Sequence, residues 1–298
     1  MLGRIAPVLI GLIAVSACAA QAPPAPGSLV LTSERAAVIA GPDMRGKAPR
    51  VAALLDREVP RIAAIVGADD LRPIPVVIYG DRQAMLKTAG LPIRSSIVAL
   101  ATLPAGIIHV DGAERLASIE KVLPHEAAHV LIARAVGSAL PAVPLWLNEG
   151  IAEYAAGRTA SQADPVWLRA IGQGKSLRLE ELDHAIGQHG ENAGLAYAQA
   201  ASLVSFLVAQ RGEGVITDLL HSIAASRDFE ESLRQVTGWQ PDEMEVAWRT
   251  AAARRWRWPL LFQSQAVWLG LMVLLFLAGL ARYLRQRRRR QEAPDEDW

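Results

Sequence analysis

The run His125-Glu126-Ala127-Ala128-His129 sets two imidazoles four residues apart, with a carboxylate beside the first. On an α-helix this spacing stacks both rings on one face, about 40° apart in azimuth. Both can then reach one zinc ion at ~2.0–2.1 Å. Glu126 flanks the same cleft, where it is suited to take a proton from water activated at such an ion. A catalytic zinc ordinarily takes three protein ligands, so two histidines leave the set one short. A three-histidine continuation would need glycine three residues beyond His129 and histidine six beyond it. Ile132 and Ala135 stand there, and that arrangement is excluded.

Downstream, "LPHEAAHVL" (123–131) is followed by "PLWLNEGIAEY" (144–154), with "YAQAASLVSFLVAQRG" at 197–212. These motifs resemble the gluzincins, the thermolysin-like clan of zinc metallopeptidases, and more closely the bacterial peptidase MA-like family. The resemblance implies His125, His129 and Glu149 as metal ligands and Glu126 as general base. If Glu149 does not serve, the next candidates for third ligand are Asp164, Asp183 and His184. Glu153 lies one turn beyond Glu149 on the same helical face. A metal-bound histidine needs a partner for its other ring nitrogen, and the resemblance implies that Glu153 orients His125. Gly150, lacking a Cβ, allows close helix approach. The likeness also implies a cleft rim formed by the strand before the active-site helix, here Gly106–Val110. It further implies a downstream oxyanion donor, for which Tyr197 is first and His184, His189 and His221 follow.

The elements that must position these groups read as α/β first and helical afterwards. A helix is expected over Val51–Val66 and a strand over Ile74–Tyr79, with further strands over Ile97–Leu103 and Gly106–Val110. Helices are expected over Glu114–Val136 (interrupted by Pro124), Leu145–Ala156 and Asp164–Gly172. Four more follow, over Leu195–Arg211, Val215–Ala225, Phe229–Thr237 and Asp242–Arg254. Gly174-Lys175-Ser176 mimics the end of a phosphate loop, but Arg169 stands where its first glycine should be, and the match fails.

The ends of the chain bear on location. Residues 1–20 follow the n-, h- and c-region order of a secretory signal peptide, and a lipobox-like Val15-Ser16-Ala17-Cys18 makes Cys18 a candidate for acylation. Residues 21–27 are a proline-rich linker. Trp258 to Ala281 carries no charge over 24 residues, which as a helix covers about 36 Å and can cross a membrane. Six arginines between Arg282 and Arg290 follow the span and three precede it, which puts residues 285–298 in the cytoplasm. Apart from Arg4, those nine arginines and the four acids of the tail, residues 5 to 253 hold 21 bases and 26 acids. Such a body lacks the basic face that nucleic-acid binding requires. One cysteine in 298 residues allows no internal disulfide.

The expected fold class is therefore α+β: a small N-terminal α/β part with a mixed sheet and the zincin helices, over 28–157. A helical part over 158–253, a transmembrane helix over 258–284 and the basic tail complete the chain. The expected activity is peptide-bond hydrolysis with one Zn²⁺, at the outer face of the bacterial inner membrane. A zinc amidase on a non-peptide envelope substrate and a non-catalytic scaffold of the same fold remain the alternatives.

Overall fold

The computed structural model describes residues 13–14, 28–90, 97–157, 170, 174–188, 192–263 and 265–291. Cys18, the linker, Asp164, His189, all of the expected helix over 164–172 except Ala170, and the tail beyond 291 lie outside the described residues.

The N-terminal part is a mixed sheet backed by helices. Its strands are β2 (Leu29–Thr32), β3 (Ala36–Ala40), β4 (Ile74–Tyr79), β5 (Ala99–Leu103) and β6 (Ile107–Asp111), in the spatial order β5-β6-β4-β3-β2. A two-residue β1 (Ile13–Ala14) pairs in parallel with Thr102 and Leu103 on the outer edge of β5. β3, β4 and β6 are mutually parallel, while β2 runs antiparallel to β3 and β5 antiparallel to β6. Alternation in β4 buries Ile74, Val76 and Ile78 on one face, as expected for a strand with one face on the core. Val38, Ile108, Val110 and Ala101 line the same face.

Two helices cover that face. α1 (Ala48–Val66) buries Val51, Leu55, Val59, Ile62 and Val66 at helical spacing and ends on Gly67, whose φ of 68° suits a residue without Cβ. α3 (Leu116–Val136) is buried over most of its length, between the sheet, α1 and α4 (Leu145–Ala155). Between β4 and β5 lies α2 (Arg82–Thr88), which Asp81 opens by accepting from the Ala84 N–H at 2.8 Å. Its Met85 and Leu86 pack with Leu100 on the opposite face of the sheet.

The remainder is helical: α5 (Leu179–Gln188), α6 (Ala193–Arg211), α7 (Val215–Ser226), α8 (Phe229–Thr237), α9 (Pro241–Gln263) and α10 (Gln265–Gln291). α6 is apolar enough to span a membrane, yet 61% of its apolar window is buried; it is a core helix. Val267–Arg288 within α10 has a mean hydropathy of 2.0 and is wholly exposed, with Leu269, Met272 and Phe276 each 69% exposed. By length and composition this helix can cross a membrane.

The fold class read from the sequence holds, and four details differ. Pro124 does not interrupt its helix; α3 continues through it, losing only the N–H that Glu120 O would accept. β3, α2 and α5 are additional elements. α9 runs on to Gln263, through the start of the apolar stretch, and the exposed apolar helix begins at Gln265. Finally, β6 is not the rim, because β5 and β4 pair with its two sides. The strand outside it, packed against α3, is β5, which carries the two-residue β1 on its outer side.

Candidate active site

α3 and α4 bring His125, His129 and Glu149 together in the interior; the first and last are fully buried and His129 is 1% exposed. His125 Nε2 and His129 Nε2 are 3.0 Å apart, and Glu149 Oε2 lies 3.3 Å from the first and 3.6 Å from the second. A tetrahedron with ~2.0–2.1 Å bonds has edges of about 3.3–3.4 Å. The triangle therefore has the size of one face of a zinc coordination sphere.

Proton accounting points the same way. His129 Nδ1 is 2.7 Å from the side-chain oxygen of Asn148, an acceptor, so this nitrogen is the one that carries hydrogen. His125 Nδ1 lies 3.2 Å from Glu153 Oε1, again an acceptor. With both imidazoles neutral, both Nε2 lone pairs face the Glu149 carboxylate, whose two buried oxygens have no hydrogen-bond donor among the described residues. Three electron-rich atoms with no proton among them make a costly arrangement for a dry interior unless a cation joins them. The residues present fit a divalent metal ion. These three form a possible metal-holding group among the described residues.

The electrostatics show how strongly the pocket calls for positive charge. Burial disfavours charge on His125, but the Glu149 and Glu153 carboxylates outweigh it and raise its pKa to about 9, so that without an ion a proton takes the cation's place. At His129 burial wins over the attraction of Glu149, and the pKa falls to about 4.

Glu126 is fully buried beside the first histidine. Tyr197, in the first turns of α6, is half-buried, and its phenol is pushed well above its ordinary pKa by burial and then by the charges of Glu149, Glu126 and Glu153. It thus lies within electrostatic reach of all three carboxylates and stays a donor. Gly150 sits where α4 crosses α6: a Cβ there would stand 2.5 Å from Ala200 O. The close approach it permits is to the helix bearing Tyr197.

The other sequence candidates lie elsewhere. His184 is exposed. His221 is exposed and 3.1 Å from Gly67 O, where it docks α7 on α1. Asp183 uses both carboxylate oxygens on backbone N–H groups of α4, so it is no third ligand. Asn148 was not read from the sequence as the partner of His129; its only signal was adjacency to Glu149.

The family model described as Peptidase MA superfamily matches residues 56–253, about two thirds of the chain, and takes in every one of these groups. The chain belongs to the Peptidase MA superfamily. None of the curated proteins searched matches it. Membership in this superfamily makes the His-His-Glu cluster the candidate metal centre of a peptidase.

Proposed function

We propose that this Peptidase MA protein is a membrane-anchored, zinc-dependent metallopeptidase of the gluzincin type, cleaving peptide bonds outside the cytoplasmic membrane. The observation that carries this reading is the buried triangle of His125 Nε2, His129 Nε2 and Glu149 Oε2 at tetrahedral-edge distances. His125, His129 and Glu149 would hold the ion, which when bound supplies Lewis acidity toward a carbonyl and lowers the pKa of water from 15.7 towards ~7.

The chain's own groups do the rest. Glu126 takes a proton from the attacking water and passes it to the departing amine. Tyr197 donates its hydroxyl hydrogen to the oxygen on which negative charge grows. Asn148 and Glu153 keep the imidazoles in the tautomer that turns Nε2 inward. An extended segment already pairs with β5 at Thr102 and Leu103, which supports a substrate strand along the same edge. The exposed apolar helix within α10 and the arginines after it support anchorage with the tail inside.

The test is cleavage of casein by the purified full chain in detergent. Activity abolished by a chelator and restored by Zn²⁺ is expected; cleavage indifferent to chelation overturns the proposal. For the topology, a reporter after Trp298 should act as cytoplasmic and one after Ala252 as exported.

A further inference from the structure

α4 carries Glu149, Asn148 and Glu153, yet its own sequence does little to fix its ends. Pro144 stands at the N-cap position and offers no side-chain acceptor to the first turn. That acceptor comes from a residue 38 positions away: Leu145 N–H donates to Asp183 Oδ2 at 3.0 Å and Trp146 N–H to Asp183 Oδ1 at 2.8 Å. Both carboxylate oxygens of one α5 side chain are thus spent on consecutive N–H groups, where the helix dipole also favours negative charge. At the far end, Arg61 of α1 donates from Nη2 to Ala155 O at 2.6 Å. α5 is itself tied down, since Leu179 N–H donates to Glu245 Oε2 of α9 at 3.1 Å.

We infer that Asp183 is a positioning residue for the metal centre, setting where α4 stands along its own axis and so where Glu149 meets the two imidazoles. Leu145 and Glu149 are one turn apart on the same face. A first turn freed from its cap can slide or fray, and a displacement near 1 Å is about a third of the 3.0–3.6 Å edges of the ligand triangle. The bidentate cap gives the helical C-terminal part a second hold on the ligand helix, through α5, beside the packing of α6 at Gly150. The inference rests on the reading of Glu149 as a ligand.

The experiment measures Zn²⁺ affinity of the full chain in detergent by chelator competition, alongside the melting temperature of the metal-free protein. Asp183→Ala is expected to weaken zinc binding about tenfold, the scale of a lost cap. Asp183→Asn, which keeps one acceptor, should fall between the parent and the alanine variant. The matched control is Asp228→Ala, which removes the cap of α8, where Glu231 N–H donates to Asp228 Oδ1 at 3.0 Å. It should lower the melting temperature and leave zinc affinity unchanged. A lower melting temperature with parental zinc affinity in Asp183→Ala, or equal weakening in the two alanine variants, overturns the inference. If Asp183→Ala does not fold, parental affinity in Asp183→Asn overturns it instead. Glu149→Ala forms a separate arm: parental zinc binding there sinks the ligand reading, whatever the Asp183 variants do.

Discussion

Buried histidines occur on both sides of the sheet, and their surroundings are opposite. On the outer face, His109 is 6% exposed, with Nδ1 2.8 Å from the Tyr79 hydroxyl and Nε2 3.2 Å from Thr102 Oγ1. Tyr79 donates to one nitrogen, the other donates to Thr102, and Thr102 can pass its own hydrogen to Ile107 O at 3.4 Å. Every position is filled, and burial alone lowers the His109 pKa to about 4. At His129 the outer nitrogen meets the Asn148 oxygen and at His125 it lies 3.2 Å from the Glu153 carboxylate, but the inner pair meets only each other and the Glu149 carboxylate. The first cluster is closed and structural. The second is complete only with a cation, and that difference, rather than burial or residue type, marks it as a site.

If this contrast is sound, substitutions at the open cluster change chemistry and substitutions at the closed one change only stability. Glu126→Gln should cost the most, lowering kcat by roughly 10²–10⁴ while zinc content stays parental, because an amide cannot take the proton. Near-parental turnover would remove Glu126 from the mechanism. Tyr197→Phe keeps the ring and deletes the hydroxyl; kcat should fall by about 10²–10³ with zinc still bound. A normal rate in that variant would return Tyr197 to a packing role. Asn148→Ala, which leaves His129 Nδ1 without its acceptor, should weaken zinc binding about 10–100-fold, measured by chelator competition.

The effect at the closed cluster leaves the chemistry untouched and is confined to the pH dependence of stability. A histidine whose folded pKa lies near 4 rather than the ordinary 6.5 stabilises the fold fully above pH 6.5 and loses that contribution as pH falls towards 4. His109→Asn should therefore flatten the fall. Between pH 7 and pH 4 the parent should lose on the order of 3 kcal/mol more than the variant in chemical denaturation, with the variant's peptidase activity at pH 7 unchanged. Parallel stability profiles would show that His109 is not the closed group described.

The sequence carried the chemistry further than the architecture. The two histidines, Glu126 and Glu149 fall within 25 residues, and their helix spacing is local information. Asn148 escaped because a side chain one residue from Glu149 carries no periodic signal for the face it serves. Asp183 stands in the sequence only as a fallback ligand, and its capping role escapes for a different reason: its partners are 37 and 38 residues away, and a tertiary cap leaves no motif at either end. The rim strand was misplaced because strand order follows pairing rather than chain order. β5 comes earlier in sequence than β6 but ends up outside it. β3, Ala36–Ala40, has only Val38 and Ile39 as branched residues among three alanines, a weak signal for a strand. α2, at seven residues, is too short for a periodic signal and depends on its Asp81 cap. Pro124 reads as a break, yet packing against the sheet, α1 and α4 outweighs the one lost hydrogen bond.

What the open triangle of His125, His129 and Glu149 holds can be measured directly. Zinc content should be measured in the purified full chain and in Glu149→Ala after equal exposure to limiting Zn²⁺ and removal of excess. The expected result is one ion per chain in the parent, held by His125, His129 and Glu149, and close to none in the variant. Equal zinc in both proteins, or none in the parent, would contradict it.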